Sequence, residues 1–155
     1  DRGIHMKEVK TKFKEEQMFY GFSTISNEKE AKKDMLELID RIRRVSKCDT
    51  VLPYVALIKD FYQDEGEFQL FVGRMEYHPD LEKLVVVEGD FATAEVEPAF
   101  GRFWRKAITS TERYMETKWA DKNGYTPGSV KYLLFSEKIK SEHPTLDYYM
   151  QIEKK

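Results

Sequence analysis

The chain has 155 residues, of which 41% are hydrophobic, 35% are charged and 14% are aromatic, and its net charge is −2. This length suits one globular domain or two small halves that share a core. The near-neutral charge argues against a nucleic-acid-binding surface. The single cysteine, Cys48, leaves neither an internal disulfide nor a cysteine-based zinc site, which suits a reducing cytoplasm.

The spacing of the histidines and the length of the apolar runs argue against a metal site and a membrane span. The three histidines are scattered without the spacing of metal ligands, so we expect no metal and no cofactor. No run approaches the roughly 18 apolar residues of a membrane span, and we expect a cytoplasmic protein. Residues 1–5 look like the remainder of an expression vector before Met6. We therefore predict one domain over residues 6–155.

The first half of the chain predicts two strands, a helix and two more strands. The helix is the clearest element, because Ala31, Met35 and Leu38 begin an apolar series at spacings of three and four. Asn27, with Glu30 three residues later, is typical of a capping box. The strands are expected at 8–13, 18–23, 54–61 and 68–75, with the helix from the cap at 27 to 45 and a turn at 63–66.

The second half repeats this order of elements. Pro98 opens a long aromatic helix over 98–122, because proline suits the first helical position. Gly124 ends the helix, since glycine adopts the left-handed conformation easily. Phe100 and Phe103 of this helix are expected in the core. Strands are expected at 84–87, 91–96, 130–136 and 146–152, with a turn at 125–128.

The order strand, strand, helix, strand, strand thus occurs twice, in halves of about 6–77 and 82–153. The fold class is therefore α+β, with two pseudo-symmetric repeats that form either two antiparallel sheets or one continuous sheet. Each repeat offers one sheet face to one helix. We expect a central groove where the repeats meet, because binding pockets favour such boundaries.

The motifs resemble those of the GyrI-like small-molecule-binding domain, which is also the effector-binding module of some AraC- and MerR-type bacterial regulators. The resemblance covers roughly residues 17–153. It rests on a hydrophobic strand, a short glycine turn at Gly89 and an aromatic-small-acidic strand over 91–96. The later motifs are Trp104 and Trp119 in the helix, Gly124-Tyr125 after it, Tyr132, and the final strand at 148–152.

The resemblance implies a protein that binds bulky, aromatic, often cationic compounds in a groove with aromatic walls and an acidic residue. In many family members a glutamate stands two residues before the tyrosine of the penultimate strand, where this chain has Val130. The acid would then come from elsewhere. The candidates are Glu137, Asp60, Glu95 and Glu153.

A planar cation needs flat apolar surfaces, and aromatic rings add cation–π attraction of about 0.5–2 kcal/mol each. Tyr148 and Tyr149 are adjacent on one strand and must face opposite sides of the sheet. The expected ligand-binding residues are Tyr20, Phe22, Tyr54, Phe91, Trp104, Trp119, Tyr132, Glu137 and Tyr148.

Three functions are compatible with these residues. The first is a stand-alone binding protein that senses or sequesters aromatic or cationic small molecules, without contacting nucleic acid or membrane and with any protein partner unknown. The second is a hydrolase of cyclopropane-bearing toxins, as in some GyrI-like proteins. The third is a protein that binds and inhibits DNA gyrase. Because aromatic residues on a helix usually belong to the core, each expected ring also has a purely structural interpretation.

Overall fold

The computed structural model describes residues 8–62, 66–98 and 104–155. The predicted α+β class is confirmed, with antiparallel strands and two main helical segments in the expected order. Contacts divide the chain into two units, one at residues 16–87 and one that joins residues 1–15 to 88–155. We call them the first unit and the second unit. The predicted core positions Phe100 and Phe103, and most of the turn at 63–66, lie outside the described residues.

The first unit is a four-stranded antiparallel sheet with one helix. The elements are β2 (Gln17–Asn27), α1 (Ala31–Ser46), β3 (Tyr54–Tyr62), β4 (Glu67–Arg74) and β5 (Glu82–Val86). The strand order is β3-β4-β2-β5. The helix buries Leu38 and Ile42, as its apolar spacing predicted, and it contacts β2 and β4.

Two local features of the first unit follow from its sequence. The side chain of Asn27 accepts a hydrogen bond from the backbone N–H of Glu30 at 2.9 Å, so it closes the turn before α1. The helix itself begins later than predicted, at Ala31, and its N-cap is Glu30 rather than Asn27. A Cβ atom at Gly21 would lie 1.8 Å from the carbonyl oxygen of Val72 on β4. Glycine is therefore required in β2 because another backbone strand approaches it there.

The second unit also has a four-stranded antiparallel sheet. Its elements are β1 (Lys10–Lys14), β6 (Gly89–Val96), α2 (Trp104–Tyr114), a π-helical turn (Met115–Trp119), α3 (Ala120–Asn123), β7 (Tyr125–Phe135), a 3₁₀ turn (Glu137–Lys140) and β8 (Leu146–Lys154). The strand order is β1-β6-β8-β7. The long helical segment begins in the described residues at Trp104 and ends at Gly124, whose φ of 76° confirms the predicted left-handed terminus.

The first strands of the two repeats are exchanged. β1 precedes the first repeat's helix in sequence, yet it pairs with β6 of the second repeat. Reciprocally, β5 pairs with β2. Hydrophobic alternation gives the position of a strand but not its partner, so the sequence carried no signal for this exchange.

The predicted turn at residues 125–128 is wrong, because these residues form the start of β7. Pro127 still pairs with Ile152, and regular pairing resumes between Lys131 and Met150 after an irregularity. A proline and a glycine that predicted a turn are instead accommodated beside a β-bulge. No helix in the described part of the chain is long and apolar enough to cross a membrane.

Candidate functional site

The two faces of the second unit's sheet carry different side chains, and a contact of β8 identifies the face that adjoins the helix. The hydroxyl of Tyr148 lies 3.3 Å from a carboxylate oxygen of Glu112 on α2, so Tyr148 faces the helix. Side chains alternate along a strand, and Tyr149 therefore faces away from it. We call the two sides the helix face and the open face of this sheet.

The open face carries three aromatic rings in contact. Tyr132 on β7 and Tyr149 on β8 are directly paired across the strands, and their rings stack at a centroid distance of 4.9 Å and an angle of 14°. Phe91 on β6 meets them edge-on, 6.0 Å from Tyr132 and 6.5 Å from Tyr149. We call Tyr132 and Tyr149 the tyrosine pair. All three rings are at most 6% exposed.

A lysine side chain already lies against the tyrosine pair. The ammonium nitrogen of Lys14 on β1 is 5.0 Å from the centroid of the Tyr149 ring, within cation–π range. Burial lowers the pKa of Lys14, and the nearby charge of Lys12 lowers it further. The ring of Tyr149 therefore attracts a cation in a place where water is partly excluded.

Negative charge occurs farther along the same face. Glu95 and Asp147 are paired across β6 and β8, two residues beyond Thr93 and Tyr149 along their strands. The ammonium of Lys138 lies 2.8 Å from Glu95 and 3.0 Å from Asp147. Burial acts to lower the pKa of Lys138, but the two carboxylates outweigh it and raise this pKa. Two carboxylates therefore share the ammonium of Lys138.

The helix face holds a second group with the same charge balance. The ammonium of Lys131 lies 3.3 Å from Glu112 and 3.1 Å from Glu116, which are one turn apart on the helical segment. Burial acts to lower the pKa of Lys131, yet the carboxylates raise it overall. Burial, followed by the charge of Glu112, raises the pKa of Tyr148, so that phenol stays protonated. This group ties the helix to β7 and β8.

The two tryptophans of the motif take different positions, and neither has a contact with the tyrosine pair among those the structure gives. Trp119 is buried and stacks on Tyr125 at 5.4 Å with an angle of 4°, so this ring has a structural partner within the second unit. Trp104 is half-buried at the first described residue of α2. Their common helix was predicted, but a π-helical turn separates them, and Ala120 donates to the carbonyl of Met115 five residues back.

The expected aromatic residues of the first unit each have an environment of their own. Tyr20 meets Tyr77 edge-on at 5.3 Å. The guanidinium of Arg41 lies 4.0 Å above the ring of Phe22. Burial raises the pKa of Tyr54 to about 12.

The carboxylate chosen from sequence as a ligand-binding residue lies at the surface. Glu137 begins the 3₁₀ turn, its side chain is 69% exposed, and it forms an ion pair with Lys140 at 3.6 Å. The side chain of Asp60 lies outside the described residues, and Glu153 and Glu95 are both exposed on the open face. Glu95 differs from Glu153 in sharing the ammonium of Lys138 with Asp147.

The structure therefore brings Phe91 and Tyr132 together, and it adds residues absent from the expected set. Tyr149, Asp147 and Lys14 complete the open face. The sequence could have placed Tyr149 and Asp147 on the open face, because both are adjacent to Tyr148 on β8 and therefore face the other side of the sheet. It could not have placed Lys14 there, because the position of Lys14 depends on the exchanged strand β1. Among the described residues, no group of three or more His, Cys, Asp or Glu side chains could hold a metal ion.

Comparisons with known proteins give likeness in structure rather than in sequence. No protein-family model matches the chain, and no curated protein matches it. The structure of SAV2435 bound to tetraphenylphosphonium matches with a TM-score of 0.68 at 10% identity, over 94% of each chain. The C-terminal domain of EcmrR matches with a TM-score of 0.67 at 12% identity, over 97% of this chain and 100% of that domain.

Two further solved structures match the chain. Within the complex of EcmrR with DNA, this chain matches 59% of the EcmrR chain, with a TM-score of 0.67 and 13% identity. A hydrolase from Listeria innocua matches with a TM-score of 0.52 at 11% identity, over 95% of this chain and 92% of that one. The chain thus has the fold of SAV2435 and of the EcmrR C-terminal domain, as the resemblance to GyrI-like domains led us to expect.

Proposed function

We propose that this protein binds bulky aromatic cations and that the tyrosine pair provides the main binding surface. The observation that carries the proposal is the stack of Tyr132 on Tyr149 with an ammonium group held against it. An arrangement that attracts an internal cation has the electrostatic character that an aromatic cation needs.

The rings supply affinity without demanding one exact ligand. A large aromatic side chain buries 150–250 Å², and each favourable ring contact adds roughly 0.5–1.5 kcal/mol beyond that area. Because the tyrosine pair is almost inaccessible to solvent, a ligand must displace side chains before it can stack there. This requirement favours ligands with several rings, whose contacts offset the cost of rearrangement.

The carboxylates of Glu95 and Asp147 supply the charge preference. Two carboxylates and one ammonium lie at this end of the open face, and the ammonium groups of Lys12 and Lys14 lie toward its other end. The carboxylates replace the family's glutamate, whose position Val130 occupies here. These two carboxylates attract a cation on the tyrosine pair and repel an anion, and they act against the ammonium groups of Lys12 and Lys14 on the same face.

Two structural neighbours support the same function. SAV2435 has been solved with tetraphenylphosphonium, a cation with four phenyl rings. EcmrR has been solved on DNA, and the domain that matches this chain is its C-terminal part. We accordingly propose that the chain senses such compounds for a regulatory partner or sequesters them.

A titration with two ions of equal shape and opposite charge tests the proposal. Tetraphenylphosphonium and tetraphenylborate have the same four-ring geometry, so their difference reports the sign of the site's charge. We expect micromolar binding of the phosphonium, on the order of −8 kcal/mol, and much weaker binding of the borate. No saturable binding of either ion would refute the function, and a preference for borate would refute the charge assignment.

A variant pair then locates the site. Tyr149→Leu removes one ring of the tyrosine pair and should weaken phosphonium binding at least tenfold. The matched control is Tyr125→Leu, which removes a stacked, half-buried ring elsewhere in the same unit and should leave affinity unchanged. Thermal unfolding of both variants confirms that the comparison concerns folded protein. Equal losses of affinity in the two variants would place the ligand away from the tyrosine pair.

A further inference from the structure

Lys14 reaches Tyr149 from a definite direction. In the second unit the strand order is β1-β6-β8-β7, so β1 and β7 lie on opposite sides of β8. Tyr132 comes from β7 and stacks on Tyr149 from that side, while Lys14 comes from β1 and reaches the same ring from the other. Tyr149 is therefore held between an aromatic ring and an ammonium group.

We propose that the Lys14 ammonium is an internal competitor that occupies the cation position on Tyr149 and must leave when a cationic ligand binds. This inference rests on the proposed function and identifies a residue that sets its affinity and selectivity. A ligand that stacks on the pair from the side of β1 requires the space of Lys14. Two cations cannot share that partly buried place without strong repulsion.

Lys14 is suited to such a role because its departure costs little. It is half-buried at the end of β1, which pairs with β6 alone among the described strands. Burial and the charge of Lys12 both disfavour its charged form where it lies. A swing into solvent relieves both effects and sacrifices one cation–π contact.

The competitor also explains how the site can discriminate between cations. A small cation of charge +1 that makes no more contact with the tyrosine pair than the aliphatic part of Lys14 gains no binding free energy by displacing it. A ligand with several rings gains stacking that Lys14 cannot supply. Lys14 thus raises the number of ring contacts that a cation needs, which selects bulky aromatic cations over small ones such as free amines.

The test compares three single-residue variants by titration with tetraphenylphosphonium. Lys14→Met keeps an unbranched side chain without the charge and should bind the cation about fivefold more tightly than the natural protein. Lys14→Arg keeps a cation over the ring and should bind no more tightly than the natural protein. Lys12→Met is the matched control, since it removes the same charge from the same strand and face, where Lys12 is exposed and lies opposite Phe91. Solvent screens its charge, so Lys12→Met should change affinity clearly less than Lys14→Met does.

The outcomes separate this inference from the proposed function. Binding by the natural protein with equal affinities for Lys14→Met and Lys12→Met would overturn the competitor role and leave the function intact. If neither the natural protein nor Lys14→Met binds the cation, both proposals fail. A second readout is the NMR signal of Lys14 in protein with ¹³C-labelled lysine, which should move on ligand addition while that of Lys12 stays nearly constant.

Discussion

Neutralising Asp147 should measurably weaken the binding of tetraphenylphosphonium, because it removes part of the charge that favours cations at the site. Asp147→Asn removes one carboxylate from the pair that shares Lys138 and makes the local charge more positive by one unit. The cluster lies two residues along the strand from the tyrosine pair, a separation of about 7 Å. One unit charge at that distance is worth about 0.6 kcal/mol at the dielectric constant of water and about 2.4 kcal/mol at an effective value of 20.

Because the Asp147 side chain is only 18% exposed, the true value should fall between these limits. We expect tetraphenylphosphonium to bind about tenfold more weakly to Asp147→Asn, and tetraphenylborate to bind somewhat more tightly. Isothermal titration at two salt concentrations measures both effects, and higher salt should shrink them. Glu137→Gln is the matched control, since it removes an exposed carboxylate paired with Lys140. A loss of affinity for both ions alike would show that Asp147 acts on the fold and not through its charge.

Three further predictions concern the framework of the molecule. Gly21→Ala should destabilise the protein by at least about 3 kcal/mol in urea unfolding, because the new Cβ atom would lie 1.8 Å from the carbonyl oxygen of Val72. The control is Gly89→Ala, whose Cβ atom would have its nearest contact at 3.4 Å and which should cost under about 1 kcal/mol. Lys131→Met should cost about 1 kcal/mol, since it leaves Glu112 and Glu116 to repel each other one turn apart. Because the folded protein raises the pKa of Lys131, that contribution should be complete below pH 10.5 and disappear as the pH rises through the raised value, so a stability difference unchanged at high pH would contradict the ion pair. Tyr148→Phe should cost about 1 kcal/mol in thermal unfolding by removing the hydrogen bond to Glu112, and an unchanged melting temperature would argue against that bond.

The order of helices and strands followed from sequence because local physics determines it. The apolar spacing of Leu38 and Ile42 predicted α1, and Gly124 predicted the end of the second helical segment. The turn expected at Pro127-Gly128 was wrong, because cross-strand pairing with β8 outweighed the local turn preference. The π-helical turn at Met115–Trp119 also had no local signal.

The candidate site was only partly predictable, because the sequence does not indicate which strands pair. Phe91 and Tyr132 were expected from their motifs, and they do lie in one aromatic group. Lys14 could not be placed there, because its contact with Tyr149 depends on the pairing of β1 with a strand some 75 residues away. Periodicity assigns a residue to a face, but only the strand order decides which faces adjoin.

The grouping of the expected residues into one groove between the repeats stays a prediction. Tyr148 and Trp119 have partners inside the second unit, in Glu112 and Tyr125. Their role in ligand binding is therefore a separate question from that of the tyrosine pair, and substitutions at these positions should first be read as changes in stability.

The most direct test of the central claim is an NMR measurement of contacts between ligand and ring protons. Protein labelled only at tyrosine, saturated with tetraphenylphosphonium, should show nuclear Overhauser effects from the phenyl protons to Tyr132 and Tyr149. The rings of Tyr125 and Tyr77 serve as internal references and should show none. Contacts to either reference ring without contacts to the tyrosine pair would contradict the account, even if the cation binds tightly.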